Sequence, residues 1–170
     1  PTEADLMRIV TDGIPRSGMP SHTDLSVDER KAVIAYIKIF SKRWQEEKPG
    51  TLVDLGDAPK YVGSAASLKR GKQLYVDAGC HTCHGLTGEG DGPSASELKD
   101  NWGNKILPFD FTSGPLKGGT SREDIYKTFV TGLDGTPMPS YQEALNKQQR
   151  WDIVSYCQQL MKGSSETAQK

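Results

Sequence analysis

Residues 80–84, Cys80-His81-Thr82-Cys83-His84, place two thiols and an imidazole in one short run, and no other feature restricts the fold of this chain as severely. Three chemistries use such a Cys-x-x-Cys pair. A structural zinc site closes with four nitrogen or sulfur ligands drawn from paired clusters. Outside the motif only Cys157 and His22 remain, each single and far away in sequence. A thioredoxin-like redox pair sits in a βαβ pattern, and none flanks these cysteines. The third chemistry is covalent haem attachment, in which both thiols form thioether bonds to the porphyrin vinyls and the following histidine reaches the iron. The motif is read this way: haem c held by Cys80 and Cys83, with His84 as proximal ligand.

The chain also repeats itself. Asp5-Leu6, Gly13 and Met19-Pro20-Ser21 match Asp124-Ile125, Gly132 and Met138-Pro139-Ser140, and Leu25, Arg30 and Tyr36 match Leu145, Arg150 and Tyr156. Each copy reads as a helix, a glycine-containing loop, a Met-Pro step and a longer helix. In the second copy Ser121 precedes Glu123 and Asp124, acidic groups suited to the free amides of a first turn, and Ile125 and Phe129 share a face. Asn146 with Gln149 starts the last helix, along which Trp151, Val154, Cys157 and Leu160-Met161 recur at helical spacing. The first copy has Ser26 and Glu29 as a capping box and Val33, Ile34, Ile37 and Phe40 as its apolar stripe. Upstream of the cysteines, Ser67 is expected to cap a helix through Leu68, Leu74, Tyr75 and Ala78 that ends at Gly79.

Helix, Cys-x-x-Cys-His, long loop, helix, Met-containing loop and terminal helix together resemble a class I cytochrome c, in particular the bacterial di-haem type built from two tandem modules. The resemblance is carried by Gly71-Lys72-Gln73-Leu74-Tyr75, Cys80-His81-Thr82-Cys83-His84-Gly85, Gly88-Glu89-Gly90-Asp91-Gly92-Pro93 and Pro137-Met138-Pro139. It covers residues 64–162 as a complete module and 2–41 as a half-module. It implies a mostly α fold with helices around a covalently bound haem and long Gly/Pro-rich loops, preceded by an incomplete second module. It also implies Met138 as the distal ligand of a six-coordinate iron, a soft thioether that raises the potential and leaves no open position for oxygen or peroxide. Pro93 resembles the family proline whose carbonyl accepts the proximal imidazole N–H. Trp102 is expected either to close over the haem, its indole N–H reaching a propionate, or to sit in the core. His81 is expected to point outward and Cys157 to act as a small buried hydrophobe.

The stretch from Gly85 to Thr120 is rich in Gly, Pro, Ser and Asn, which predicts loop and short turns. Residues 1–45 are read as the C-terminal half of a first module, 46–63 as a linker, 64–163 as a complete mono-haem module and 164–170 as a frayed tail. A net charge of −1 gives no basic footprint for nucleic acid, and no apolar run approaches a spanning helix. Haem is attached to this motif outside the cytoplasm in the family it resembles, so a periplasmic or otherwise extracytoplasmic site is expected.

The chain is thus expected to carry single electrons between redox partner proteins and not to act as an enzyme. The alternatives are a cytochrome subunit of a larger oxidoreductase, a haem peroxidase and a gas-sensing haem protein. Met19, the repeat partner of Met138, is expected to bind a second haem whose cysteines and histidine lie on another chain or on a missing segment. The competing expectation is that this half-module has lost its haem and merely packs its helices.

Overall fold

A computed structural model describes residues 2–48, 50 and 52–167. Among the described residues seven helices form, α1 (Glu3–Asp12), α2 (Val27–Lys38), α3 (Arg43–Glu46), α4 (Ala65–Asp77), α5 (His81–His84), α6 (Arg122–Thr131) and α7 (Lys147–Thr167), with one 3-10 turn at Ala95–Glu97. Among the described residues the only β pairing is an isolated bridge between Lys99 and Lys105, so the 85–120 stretch is loop as its composition predicts. No helix among them is long and apolar enough to cross a membrane. The chain divides into two compact units, Pro1–Leu52 and Val53–Lys170.

The repeat holds at the level of single hydrogen bonds. Thr2 and Asp5 close a capping box on α1 as Ser121 and Asp124 do on α6. Both helices end on a glycine in the left-handed region, Gly13 (φ 72°, ψ −168°) and Gly132 (φ 68°, ψ −170°), where a Cβ would run into the backbone of the Met-Pro step. Ile14 N–H donates to the Met19 carbonyl at 3.0 Å and Leu133 N–H to that of Met138 at 3.1 Å. Met19 N–H meets the Ser17 hydroxyl and Met138 N–H that of Thr136. Ser21 Oγ donates to the Thr11 carbonyl as Ser140 Oγ does to that of Val130. Ser26 with Glu29 and Asn146 with Gln149 then open the longer helices. One backbone difference stands out: Arg16 adopts φ 56° where the second copy has Gly135.

In the second unit α4 crosses α7 so closely that a Cβ on Gly71 would overlap the carbonyl of Asp152. A buried polar cluster locks the crossing. Arg70 donates through two nitrogens to Asp152 at 2.7 and 2.8 Å, and Ser67 Oγ bonds both Asp152 (2.6 Å) and Ser155 (2.7 Å). Around it lie Tyr75, Ile125, Tyr126, Phe129, Trp151 and Val154, with Tyr126 stacked on Trp151 at 4.1 Å.

Three expectations change. The helix before the cysteines is capped by Ser64, one turn earlier than expected, because Ser67 is drawn into the buried cluster. Val62 joins the core and Val53, Leu55 and Tyr61 pack on it, so the second half of the stretch read as a linker is part of the fold; Pro49 and Thr51 lie outside the described residues. Helix α7 continues to Thr167 through most of the expected tail, and residues 168–170 lie outside the described residues.

Gly71→Ala must force α4 off α7, since the obstructing atom is backbone and has no rotamer to yield. It is expected to cost about 1–3 kcal/mol, the usual penalty of overpacking, read as a lower guanidinium midpoint at unchanged slope.

Candidate haem site

Helix α4 delivers the two cysteines. After its C-cap at Ala78 the chain turns back, Cys80 N–H donating to the Tyr75 carbonyl, and the single turn α5 carries the rest of the motif. Tyr75 Oη donates to the Gly85 carbonyl at 2.8 Å from a buried position. From the other side Gly92 N–H bonds the Cys83 carbonyl and Ser94 N–H that of Thr82. None of Cys80, Cys83 and Cys157 is engaged in a disulfide. Cys80 is buried, which pushes its thiol up to about 11. Cys157 is more deeply buried, as its place on the apolar stripe predicts, and burial raises its thiol further.

His84 has a defined orientation. Its Nδ1 lies 3.0 Å from the Phe109 carbonyl oxygen, and the ring stacks on Phe111 with centroids 4.9 Å apart. A carbonyl can only accept, so this contact requires the proton on Nδ1 and leaves the Nε2 lone pair free. Burial holds the imidazole below its ordinary value, opposed by the Phe109 bond, so the neutral form is favoured. Nε2 has no protein hydrogen-bond partner among the described residues.

The acceptor is not Pro93, as the resemblance implies. Pro93 is exposed, and its neighbours Gly92 and Ser94 are committed to the backbone of α5, so the 106–111 segment, pinned by Phe111 N–H on the Gly88 carbonyl, supplies the acceptor instead. His81 also departs from expectation: it is half-buried, with Nδ1 shut from solvent and without a partner.

Met138 is half-buried and packs on the same core cluster that contains Cys80. Three residues on, Tyr141 stands near Cys80 and Cys83, and burial pushes its phenol up to about 12. The loop that carries Met138 thus runs close to the two cysteines. Trp102 is 80% exposed, which excludes the core alternative. It leans on the Met138 loop, with Asn101 N–H bonded to the Gly135 carbonyl and the indole within van der Waals reach of a Cβ at Gly135. Met19 lies half-buried in the first unit. Phe109 and Tyr141 escaped the sequence reading. Tyr141 had a signal, since it aligns with His22 in a repeat whose neighbouring Met-Pro-Ser is identical; Phe109 acts through its carbonyl and had none.

Two cysteines outside any disulfide, a neutral imidazole with an unengaged Nε2 and a half-buried thioether are the donors that haem c takes, so these residues fit the group. The family model for cytochrome c matches residues 68–161. The chain belongs to the cytochrome c family. A chain of the reducing HAO-like protein complex of Kuenenia stuttgartiensis is 40% identical, with a TM-score of 0.88 over 94% of this chain and 72% of its own. No curated protein matches. The protein is a haem c electron-transfer cytochrome of class I, mostly helical, with its haem bound covalently.

Acid-acetone extraction of this cytochrome is expected to leave the haem on the chain. Proteolysis and mass spectrometry should find it on the peptide spanning Cys80 and Cys83 only; haem that extracts freely contradicts this attachment.

Proposed function

We propose that this cytochrome carries one electron at a time through a haem c attached at Cys80 and Cys83, with His84 and Met138 as axial ligands, and that it performs no chemistry on a substrate. The observation that carries the reading is the state of His84, whose Nδ1–H is spent on Phe109 and whose free lone pair faces away from that carbonyl. A histidine so fixed is a ligand held ready, and the hydrogen bond keeps it in the neutral tautomer that metals require.

Met138 is the matching distal group. Pro137 and Pro139 restrict the backbone on both sides of it, and its main chain is held by the bond its N–H donates to the Thr136 hydroxyl and the bond its carbonyl accepts from Leu133 N–H. Bound, the haem supplies a one-electron couple, and the residues around it have no other task than to keep two ligands in place across both oxidation states. Trp102, exposed beside the Met138 loop, is suited to cover the outer edge of the group. Filling both axial positions argues against a peroxidase and against a gas sensor.

The likeness to a chain of an HAO-like complex supports a second element of the proposal: this cytochrome passes electrons while docked to redox partner proteins, as a subunit of a larger oxidoreductase assembly. An extracytoplasmic location accords with covalent haem attachment.

Met138→Ala is expected to abolish the methionine-sulfur-to-ferric-iron charge-transfer band, to lower the reduction potential by on the order of 100 mV and to admit carbon monoxide readily. An unmodified protein that lacks the band and binds carbon monoxide at once would refute the carrier reading.

A further inference from the structure

Residues 98–106 form a small hairpin in the loop between α5 and α6. Ile106 N–H donates to the Leu98 carbonyl at 3.1 Å and Asp100 N–H to that of Asn104 at 2.9 Å, and between the two bonds Lys99 and Lys105 stand directly opposite each other. This is the non-hydrogen-bonded kind of antiparallel pair, in which side chains come closest, with Cα atoms about 4.5 Å apart. Like charges so placed repel, and neither lysine has an ion-pair partner among the described residues. The nearest carboxylate in sequence is committed elsewhere: Asp100 turns its oxygens into the tip, where they accept from Trp102 N–H, Asn104 N–H and the Asn104 side-chain amide.

Alternation along the strands gives the hairpin two faces. Leu98, Asp100 and Ile106 are half-buried, whereas Lys99, Lys105 and Leu107 are exposed, so the ammonium groups share the outer face with a leucine that is 70% exposed. At the tip the Trp102 indole is barer still. The hairpin also stands across the proposed site. Its second strand runs on through Pro108 to Phe109, whose carbonyl holds His84, and its tip is bonded to Gly135, three residues before Met138. His84 and Met138 would ligate opposite sides of the iron, so a segment tied to both passes along the rim of the haem between them.

We infer that the outer face of this hairpin, Lys99, Lys105 and Leu107 with Trp102 at the tip, is the surface through which the cytochrome exchanges electrons with a redox partner protein, and that it fits a partner surface on which carboxylates border an apolar socket. The inference rests on the reading of His84 and Met138 above, and adds to it the place and the chemistry of docking.

Each part of the face asks for one part of that partner. The indole is a large, rigid apolar group that orders few rotors when it enters a socket, the kind of side chain on which docking energy concentrates. The lysine pair carries a repulsion that the free protein leaves in place, and a carboxylate set between the two ammonium groups removes it. Glu97 precedes the hairpin and Asp134 belongs to the Met138 loop, and the whole chain has a net charge of −1, so the positive charge is a local feature of the hairpin. A charge so confined orients an approaching partner over the haem rim more than it draws one from a distance.

The test places the haem-loaded cytochrome on gold electrodes coated with alkanethiols that end in carboxylate and methyl groups or in amine and methyl groups, and reads adsorbed mass and interfacial electron-transfer rate together. The inference requires both to be higher on the carboxylate surface, the rate by about tenfold, with a preference that fades as salt is added. Lys99→Gln with Lys105→Gln should remove most of that preference while leaving the haem spectrum unchanged, and Trp102→Ala should slow transfer on the carboxylate surface where Trp102→Phe retains it. Equal behaviour on the two coatings, a double lysine variant that acts as the unmodified protein, or an equal loss when the same charge change is made on α4 with Lys69→Gln and Lys72→Gln would each overturn it. So would co-sedimentation with phosphatidylcholine–phosphatidylglycerol vesicles that depends on Lys99 and Lys105, since the face would then belong to a lipid surface. Failure of the parent reading looks different: no one-electron couple appears on either coating, and the adsorbed mass still tests the face.

Discussion

The close crossing of α4 over α7 is the constraint on which the second unit depends. The cysteines follow α4 by a single turn, and the Met138 loop precedes α7, so the angle and separation of these two helices decide whether thiols, imidazole and thioether converge. Gly71 permits the approach, and the cluster of Ser67, Arg70, Asp152 and Ser155 makes it specific. An aspartate buried at a helix interface stabilises little by itself, since its desolvation offsets most of what the guanidinium returns. Its effect is on register: sliding either helix by a turn would leave the carboxylate without its bidentate partner, which costs more than the apolar contacts of a slipped packing can recover.

The first unit shows the same sequence logic without that constraint. Its caps, its left-handed glycine and its Met19 loop match the second unit, because each is closed by bonds within a few residues and needs no distant partner. What differs is everything that depends on a crossing helix. Alanines replace the polar pair, Lys31 stands where Trp151 is buried and Met7 where Tyr126 stacks on it. Local structure in this chain is therefore independent of tertiary packing, whereas the burial of the long helix is not.

This division also explains how much was legible in the sequence. The capping boxes and the Met-Pro repeat are short-range patterns with one physical solution each, and they were read correctly as local structure. Three of the errors involve a long-range partner. Ser67 has the residue type of a cap, but its hydroxyl is taken by Asp152, eighty-five residues away, and Ser64 assumes the cap. Pro93 lost the role of acceptor because its neighbours bond α5, which leaves the imidazole to a carbonyl twenty-five residues from His84. A backbone acceptor has no side-chain signature, so no reading of residue types could have selected Phe109. The polar stretch around Val53 to Val62 resembled a linker because loops that pack on a core through a few side chains keep the composition of solvent-exposed ones.

Within the proposed site the two axial groups act on the iron in opposite senses. The Nδ1–H bond to Phe109 gives the imidazole more basic character at Nε2, which would favour ferric iron, and the thioether of Met138, as the proposed distal ligand, would favour ferrous iron. A ligand in direct contact with the metal would outweigh a hydrogen bond one step removed, so the methionine would set the level and the histidine contact would trim it. The trim is stable because the acceptor is fixed: Pro108 restricts the backbone just ahead of Phe109, the Phe111 N–H is bonded to the Gly88 carbonyl, and the Phe111 ring lies on the imidazole itself. Electron transfer through such a site would meet an imidazole whose orientation is fixed by a main-chain acceptor and a methionine whose backbone is held on both sides, which favours a small reorganisation on each passage.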